Sequence, residues 1–295
     1  MHQSPLLDLV IIGTQKSFTT SLKTYLGEHP DVIVHPQVEM GYFVDDAEYA
    51  RGFKKALSHY YHNINLTSGK KIIAKNAVLY AKEAAIKRLH HHNPNCKIVI
   101  NLRNPVDRAY SAYLMEYNLA DIGFGFEEIK EIAAKADPDY WPYAIFVDAG
   151  NYAKHLKVIY KYFPKDQVKV ILCEEMLEDP IKICKELFTW LGIDNTFKPE
   201  IKVYNPTVKT GSKIYAKVSV NLLKRSPILR KSAGLLMPSR YNHKIGNFIR
   251  GLNKTKLKYP PMDAATRQFL LDYYRDANKE LEELTGKKVT TLWSK

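Results

Sequence analysis

"LDLVIIGTQKSFTTSLKTYLGEHPDV" occupies residues 7–32. Five of its first six residues are apolar, the length and composition of a buried strand. Gly13 follows, then Lys16, then the hydroxyls of Ser17, Thr19, Thr20 and Ser21, then a helical pattern through "SLKTYLGEH". The order is strand, turn, helix, with a lysine and hydroxyls at the joint. Such a turn aims backbone N–H groups and the positive helix end at one point, an anion site whose usual occupant is phosphate. A Walker A loop needs Gly-x4-Gly-Lys-Ser/Thr. Here Gly13 precedes Lys16 by only three residues, so the loop is shorter and of another type. Taken alone, the stretch also fits an ordinary strand-to-helix turn with a polar cap.

Working outward, "KIIAK" (71–75), "CKIVINL" (96–102) and "VKVILC" (168–173) repeat the apolar run. Helical patterns lie between them: "AKEAAIKRLHHHNP", "PVDRAYSAYLMEY" opened by Pro105, "NYAKHLKVIYKYF" and "DPIKICKELFTWLG". Strands alternating with helices predict an α/β fold of three layers, a central parallel sheet flanked by helices. Ligands of such sheets bind beyond the carboxyl ends of the strands. Three joints lie at such ends, at 13–21, 75–76 and 103–111, and are expected to converge. In the third, "INLRNPVDRAYSAY" (100–113), Arg103 ends a strand and Ser111 lies one to two turns into the next helix. Arg grips phosphate with two parallel hydrogen bonds. A local cap at Arg103 and a neutral helix-face Ser111 is the rival reading.

The chain of 295 residues is 45% apolar, enough for one large domain with a sizeable core. We expect a single domain over 1–295, with a basic, loop-rich insertion at about 222–262 and a closing helix at about 263–285. No apolar run has the length to cross a bilayer, and "MHQSPLLDLV" lacks the basic start of a secretory signal. Cys96, Cys173 and Cys184 have no paired or metal-like spacing, which predicts free thiols in a reducing compartment, the cytoplasm. No His/Cys/Asp cluster has ligand spacing, so no metal is expected. Net charge is +13. The segment from Ile201 to Met262 holds 14 Lys and Arg and no Asp or Glu, which leaves 30 basic and 31 acidic residues elsewhere. Such a patch concentrates anions: nucleotide, polysaccharide, nucleic acid or acidic lipid.

Together the joints resemble the sulfotransferases that use 3′-phosphoadenosine 5′-phosphosulfate (PAPS). "QKSFTTSL" resembles their strand–Lys-x-Gly-Thr-Thr/Ser–helix loop, and "RNPVDRAYSAY" is similar to their 3′-phosphate motif, the more specific of the two. "EMGYFVDD" and "KNAVLY" resemble segments of the heparan-sulfate branch. The block from Gly150 to Ile193 resembles the later strand–helix unit, "YNPTVKTGS" sits like the late nucleotide loop, and "YPPMDAATRQFLLDYY" looks like the closing helix of bacterial members. The likeness covers most of residues 7–220 and implies a P-loop NTPase-like sulfotransferase fold. One departure stands out: Phe18 occupies a place usually held by Gly, whose lack of a side chain lets backbone approach phosphate. A Phe fits there if φ stays negative and the ring turns into the protein.

The resemblance implies PAPS as donor and 3′-phosphoadenosine 5′-phosphate (PAP) as product. It places Gln15, Lys16, Ser17, Phe18, Thr19, Thr20, Ser21, Arg103, Ser111, Tyr152, Lys209, Thr210, Gly211 and Ser212 around the nucleotide. In sulfuryl transfer the acceptor attacks in line and charge builds on the leaving phosphate oxygen. Lys16 is the expected cation at that oxygen, Lys75 the hold on the sulfonate or acceptor, and Glu39 the base, matching the family's catalytic Glu. Asp45, Asp46 and His35 are rivals for the base; His90–His92 is expected to be a solvated helix end. The expected acceptor is a hydroxyl or amine of a carbohydrate, glycoconjugate or lipid. The basic segment 201–262 is expected to meet an anionic acceptor, a polyanion or an anionic membrane surface, placing the protein in the cytoplasm or at the membrane periphery. A P-loop-like nucleotide kinase and a non-catalytic polyanion binder are the alternatives; no nucleic-acid motif supports the latter.

Overall fold

The computed structural model describes residues 5–62, 64–66, 69–119, 122–202, 209–210, 254–255 and 261–294. Five parallel strands form the central sheet: β1 (Leu9–Gly13), β2 (Val32–Val34), β3 (Lys71–Lys75), β4 (Lys97–Leu102) and β5 (Val168–Leu172), in the order β2-β3-β1-β4-β5. The register pairs Leu9 with Ile73 on one side and with Lys97 on the other. From β1 the chain builds β2 and β3 on one flank, then crosses to build β4 and β5 on the other. The topological switch therefore lies at the carboxyl end of β1, the place where such sheets bind ligands.

The helices among the described residues are α1 (Thr19–Gly27), α2 (Asp46–Ala50), α3 (Phe53–Tyr60), α4 (Glu83–His92), α5 (Pro105–Leu119), α6 (Ile129–Lys135), α7 (Tyr152–Tyr162), α8 (Cys173–Glu178), α9 (Pro180–Leu191), α10 (Ala264–Thr285) and α11 (Val289–Leu292). Their ends follow local chemistry. Asp179 caps α9 by accepting from Lys182 N, Pro180 fills its first turn, and Gly192 closes it with φ +72°. Asp263 caps α10 through Thr266 N, and Gly286 ends it in the left-handed conformation.

Two layers of helices cover the sheet. On one face Val10, Ile12, Ile98 and Ile100 pack with Ile86 and Leu89 of α4, Leu156 and Ile159 of α7, and Leu281 of α10. On the other, Leu9, Ile11, Ile73 and Val99 pack with Leu22 and Leu26 of α1 and Leu187 and Phe188 of α9. Each such buried side chain contributes roughly 1.5–3 kcal/mol relative to exposure. A third cluster joins α5, α6 and α10 to a π-helical turn, Tyr143–Val147.

This is the expected three-layer α/β arrangement. The predicted strands all form, but β5 stops at Leu172 and Cys173 opens α8. The strand β2 and helices α2, α3, α6 and α11 add to the expected elements. The last long helix is α10, Ala264–Thr285. Of the basic insertion, 222–253 and 256–260 lie outside the described residues, as do Gly211 and Ser212; Lys209–Thr210 pairs antiparallel with Lys254–Thr255.

Candidate active site

The first joint begins at Gly13, where a Cβ would stand 2.4 Å from Tyr80 Cδ1. Tyr80 is itself held by its hydroxyl on Ala149 O at 2.6 Å, so only glycine lets the strand end there. Thr14 then turns the chain: its N–H and Oγ1 both donate to Asn101 O, at 2.8 and 2.9 Å. Thr14 Oγ1 also lies 2.7 Å from Ser17 Oγ. Lys16 and Phe18 adopt left-handed backbone, with φ +73° and +60°. Phe18 is the N-cap of α1 and supplies no side-chain cap, which leaves the first N–H groups of α1 turned into the loop.

The left-handed Phe18 corrects the expectation of a negative φ. The residue keeps the backbone a glycine would adopt, at a cost of about 1–2 kcal/mol. Its ring packs, partly buried, against the cluster on the α1/α9 face of the sheet, as expected.

The three joints converge. Arg103 Nη1 donates to Lys16 O at 3.3 Å, tying the end of β4 to the loop. Lys75 Nζ donates to Thr20 Oγ1 at 3.1 Å, tying the end of β3 to the start of α1. Lys75 is 1% exposed, and its remaining donors reach Val38 O at 3.2 Å and Glu39 Oε1 at 2.6 Å. Glu39 Oε2 accepts from Ala77 N at 2.9 Å, while 40% of the side chain stays exposed. The carboxylate is thus oriented from behind and open in front.

The electrostatics fit an anion. Burial lowers the Lys16 ammonium from its usual range, the Arg103 charge lowers it further, and Glu116 opposes both. Burial also lowers Lys75, against the pull of Glu39. Cations desolvated next to one another bind an incoming anion more strongly than dispersed ones.

The other expected residues divide. Gln15, Lys16, Phe18, Thr20 and Arg103 keep part of their surface, whereas Thr19, Ser21 and Ser111 are buried. Ser17 is fully buried and bonded to Thr14, so it braces the loop from within instead of facing a ligand. Tyr152 is 1% exposed, with its hydroxyl donated to Arg103 O at 2.9 Å, so it has no free surface for a nucleotide. Of Lys209 and Thr210 only the backbone is described.

Among the rivals, His35 is fully buried; its Nε2 accepts from Lys75 N at 3.1 Å, and burial with the Lys23 and Lys75 charges pushes it down to about 3. It cannot take a proton from an acceptor. Asp45 caps α2 and Asp46 pairs with Arg88. His92 is no solvated end either: its Nε2 accepts from Leu7 N, and burial lowers it to about 4.

Lys23 is the residue that sequence reasoning missed. Lys23 is 6% exposed, and its ammonium donates to His35 O at 2.9 Å and Gln37 O at 2.5 Å. It binds α1 to the loop that carries Glu39. Burial, then the Lys75 charge, lower it to about 8, with Glu39 opposing. The available signal was a lysine between Leu22 and Leu26, on the apolar face of a short helix.

At the switch point of the parallel sheet a hydroxyl-lined loop, two lysines, an arginine and a half-open carboxylate come together, an arrangement suited to an anionic ligand. The chain belongs to the sulfotransferase domain family, whose model matches residues 6–286. It is 28% identical over 291 residues to the bifunctional heparan sulfate N-deacetylase/N-sulfotransferase 4 of Mus musculus, covering 93% of this chain and 29% of that protein. To the corresponding enzyme 1 of Homo sapiens it is 29% identical over 294 residues, covering 96% and 30%. The chain therefore spans about three-tenths of the length of the curated relatives it matches. A sulfotransferase from Alicyclobacillus acidocaldarius has the same fold, with a TM-score of 0.67 at 21% identity over 98% of this chain and 99% of that one. Family membership favours the transferase reading over a kinase or a polyanion binder.

Proposed function

We propose that the protein moves a sulfuryl group from PAPS to a hydroxyl or amine of an acceptor, releasing PAP. The observation that carries this reading is the meeting of Lys16, Arg103 and the Lys75–Glu39 pair at the carboxyl ends of β1, β4 and β3. PAPS supplies a sulfuryl group already bonded to a good leaving phosphate. Arg103 and Ser111 hold the 3′-phosphate, and Gln15, Thr19, Thr20 and the α1 N-terminus hold the 5′ end. Lys16 neutralises the charge that collects on the leaving oxygen as the S–O bond breaks. Lys75 holds sulfonate oxygens, and Glu39 takes the acceptor proton as the new bond to sulfur forms. With these lysines the site already carries the charge that a metal would bring, which supports metal-free transfer.

The relatives named for heparan sulfate N-sulfotransfer support a carbohydrate or glycoconjugate acceptor. The acid-free segment 201–262 supports an anionic acceptor or an anionic membrane surface that presents one. Three free, buried cysteines support a reducing compartment such as the cytoplasm. Transfer of radioactive sulfate from PAPS to N-desulfated heparan sulfate, and to lipid and phenol acceptors in parallel, tests the reading. Glu39→Gln should lower whichever transfer is seen by about 10²–10⁴-fold; full activity in that variant removes Glu39 as base. Salt-sensitive flotation with anionic vesicles tests the membrane arm, and its absence removes it.

A further inference from the structure

Four successive backbone carbonyls are each taken by a side chain from a different element. Arg108 Nη2 of α5 donates to Phe146 O at 2.8 Å, and Tyr274 of α10 to Val147 O at 2.7 Å. His155 Nε2 of α7 bonds Asp148 O at 2.9 Å, and Tyr80, after β3, donates to Ala149 O at 2.6 Å. All four side chains are buried. The next residue, Gly150, has room for no side chain, because a Cβ would stand 2.6 Å from the Tyr274 hydroxyl oxygen. The π-helical turn and its continuation are thereby fixed to α5, α7, α10 and the helical turn after β3 at once. Two residues later comes Tyr152, the first residue of α7.

From that anchored start the Tyr152 hydroxyl reaches Arg103 O at 2.9 Å. Its ring stands edge-on to Trp293, with centroids 6.0 Å apart. Trp293 is tied by its indole N–H to Glu174 Oε1 at 2.9 Å, and Asn104 Nδ2 donates to Trp293 O at 3.4 Å. The Arg103–Asn104 corner is therefore held from behind, by one hydroxyl and one indole residue, while the Arg103 side chain faces Lys16 O. Burial raises the Tyr152 hydroxyl far above its ordinary range, so it remains a donor.

We propose that Tyr152 is a positioning residue for 3′-phosphate recognition: without touching the nucleotide, it fixes the Arg103 backbone so that the guanidinium points at the 3′-phosphate, with Trp293 as its backing. This rests on the PAPS reading above. An arginine on a strand end pivots at its own carbonyl, and a phosphate held by two parallel N–H bonds tolerates little rotation of the fork. Loss of the hydroxyl should therefore weaken recognition of the 3′-phosphate alone.

The test titrates the full chain with PAP and with adenosine 5′-phosphate, which differ only in the 3′-phosphate, by calorimetry. The unaltered protein should prefer PAP. Tyr152→Phe should cut that preference about fivefold or more, through weaker PAP binding with adenosine 5′-phosphate affinity unchanged. Tyr61→Phe removes an equally buried hydroxyl, one bonded to Ile73 O, and should leave the preference intact. If Tyr152→Phe does not fold, Trp293→Leu, which unbacks the ring, should reduce the same preference. A preference retained in the folded variant, or both nucleotides weakened alike, overturns the proposal. An unaltered protein without the preference overturns the donor reading, and this proposal with it.

Discussion

Lys75 Nζ lies 2.6 Å from Glu39 Oε1 and 3.1 Å from Thr20 Oγ1, so one buried ammonium bridges the start of α1 and the Glu39 carboxylate. Removing either partner leaves the other's charge uncompensated, and the two losses should differ. Glu39→Gln keeps the shape and should lower turnover by about 10²–10⁴-fold with PAP affinity within about twofold. Lys75→Met should lower turnover and also destabilise, by about 1–3 kcal/mol, because Val38 O and Thr20 lose their donor while the half-exposed Glu39 is solvated. Equal nucleotide affinity but undiminished turnover in Glu39→Gln would remove it from the mechanism.

Phe18 offers a test of backbone strain. Its φ of +60° favours glycine, so Phe18→Gly trades relief of about 1–2 kcal/mol against the lost packing of a partly buried ring. Phe18→Ala loses the ring and keeps the strain. Thermal or urea denaturation should find the Gly variant about 1 kcal/mol more stable than the Ala variant, the reverse of the usual order. The Ala variant being the more stable would mean that the loop relaxes out of the left-handed conformation.

Gly13→Ala pushes a methyl group into the Tyr80 ring, which its bond to Ala149 O holds in place. Overpacking of this kind costs about 1–3 kcal/mol. Because the clash sits at the start of the loop, PAP affinity should fall as well as stability. Tyr80→Leu in the same chain should restore part of both, measured by calorimetry and denaturation.

Lys23 sets an alkaline signature. Its folded value is about 8, below the 10.5 of an unfolded lysine. Between those values the unfolded chain binds more protons, so stability from this group rises with pH across the window and is flat above it. Lys16 and Lys75 are lowered too and add with the same sign. On the acid side His35 is held near 3, so stability falls as pH drops from the ordinary histidine value towards it. The buried cysteines and tyrosines, raised by burial, pull stability the other way over the same range, so the signature is read as a difference between two chains. Urea denaturation should show the stability of the unaltered protein relative to Lys23→Met rising from pH 8 to pH 10; an unchanged difference would mean that Lys23 is not the group responsible.

The sheet was readable because its strands are continuous apolar runs, and a run such as "KIVINL" has no other way to bury both faces. The joints were readable because glycine, lysine, hydroxyls and proline act locally where strands end. Three-residue β2 was too short to stand out, and α2 and α3 sit in a stretch whose apolar residues follow no clean period. Ser17, Tyr152 and Lys23 show a different limit. Whether a hydroxyl faces a cleft or a neighbour, and whether a lysine is solvated or clamped on two carbonyls, depends on chain segments far away in sequence. Phe18 combines the two: its place in the loop was legible, its left-handed backbone was not.

The central claim is that this site binds a 3′-phosphorylated adenine nucleotide through Arg103. Calorimetric titration of the full chain with PAP, alongside ADP and adenosine 5′-phosphate, tests it most directly. Tight PAP binding, much weaker binding of the other two, and loss of the preference in Arg103→Ala are the expected results. Equal affinity for all three nucleotides, or a preference that survives Arg103→Ala, would contradict it.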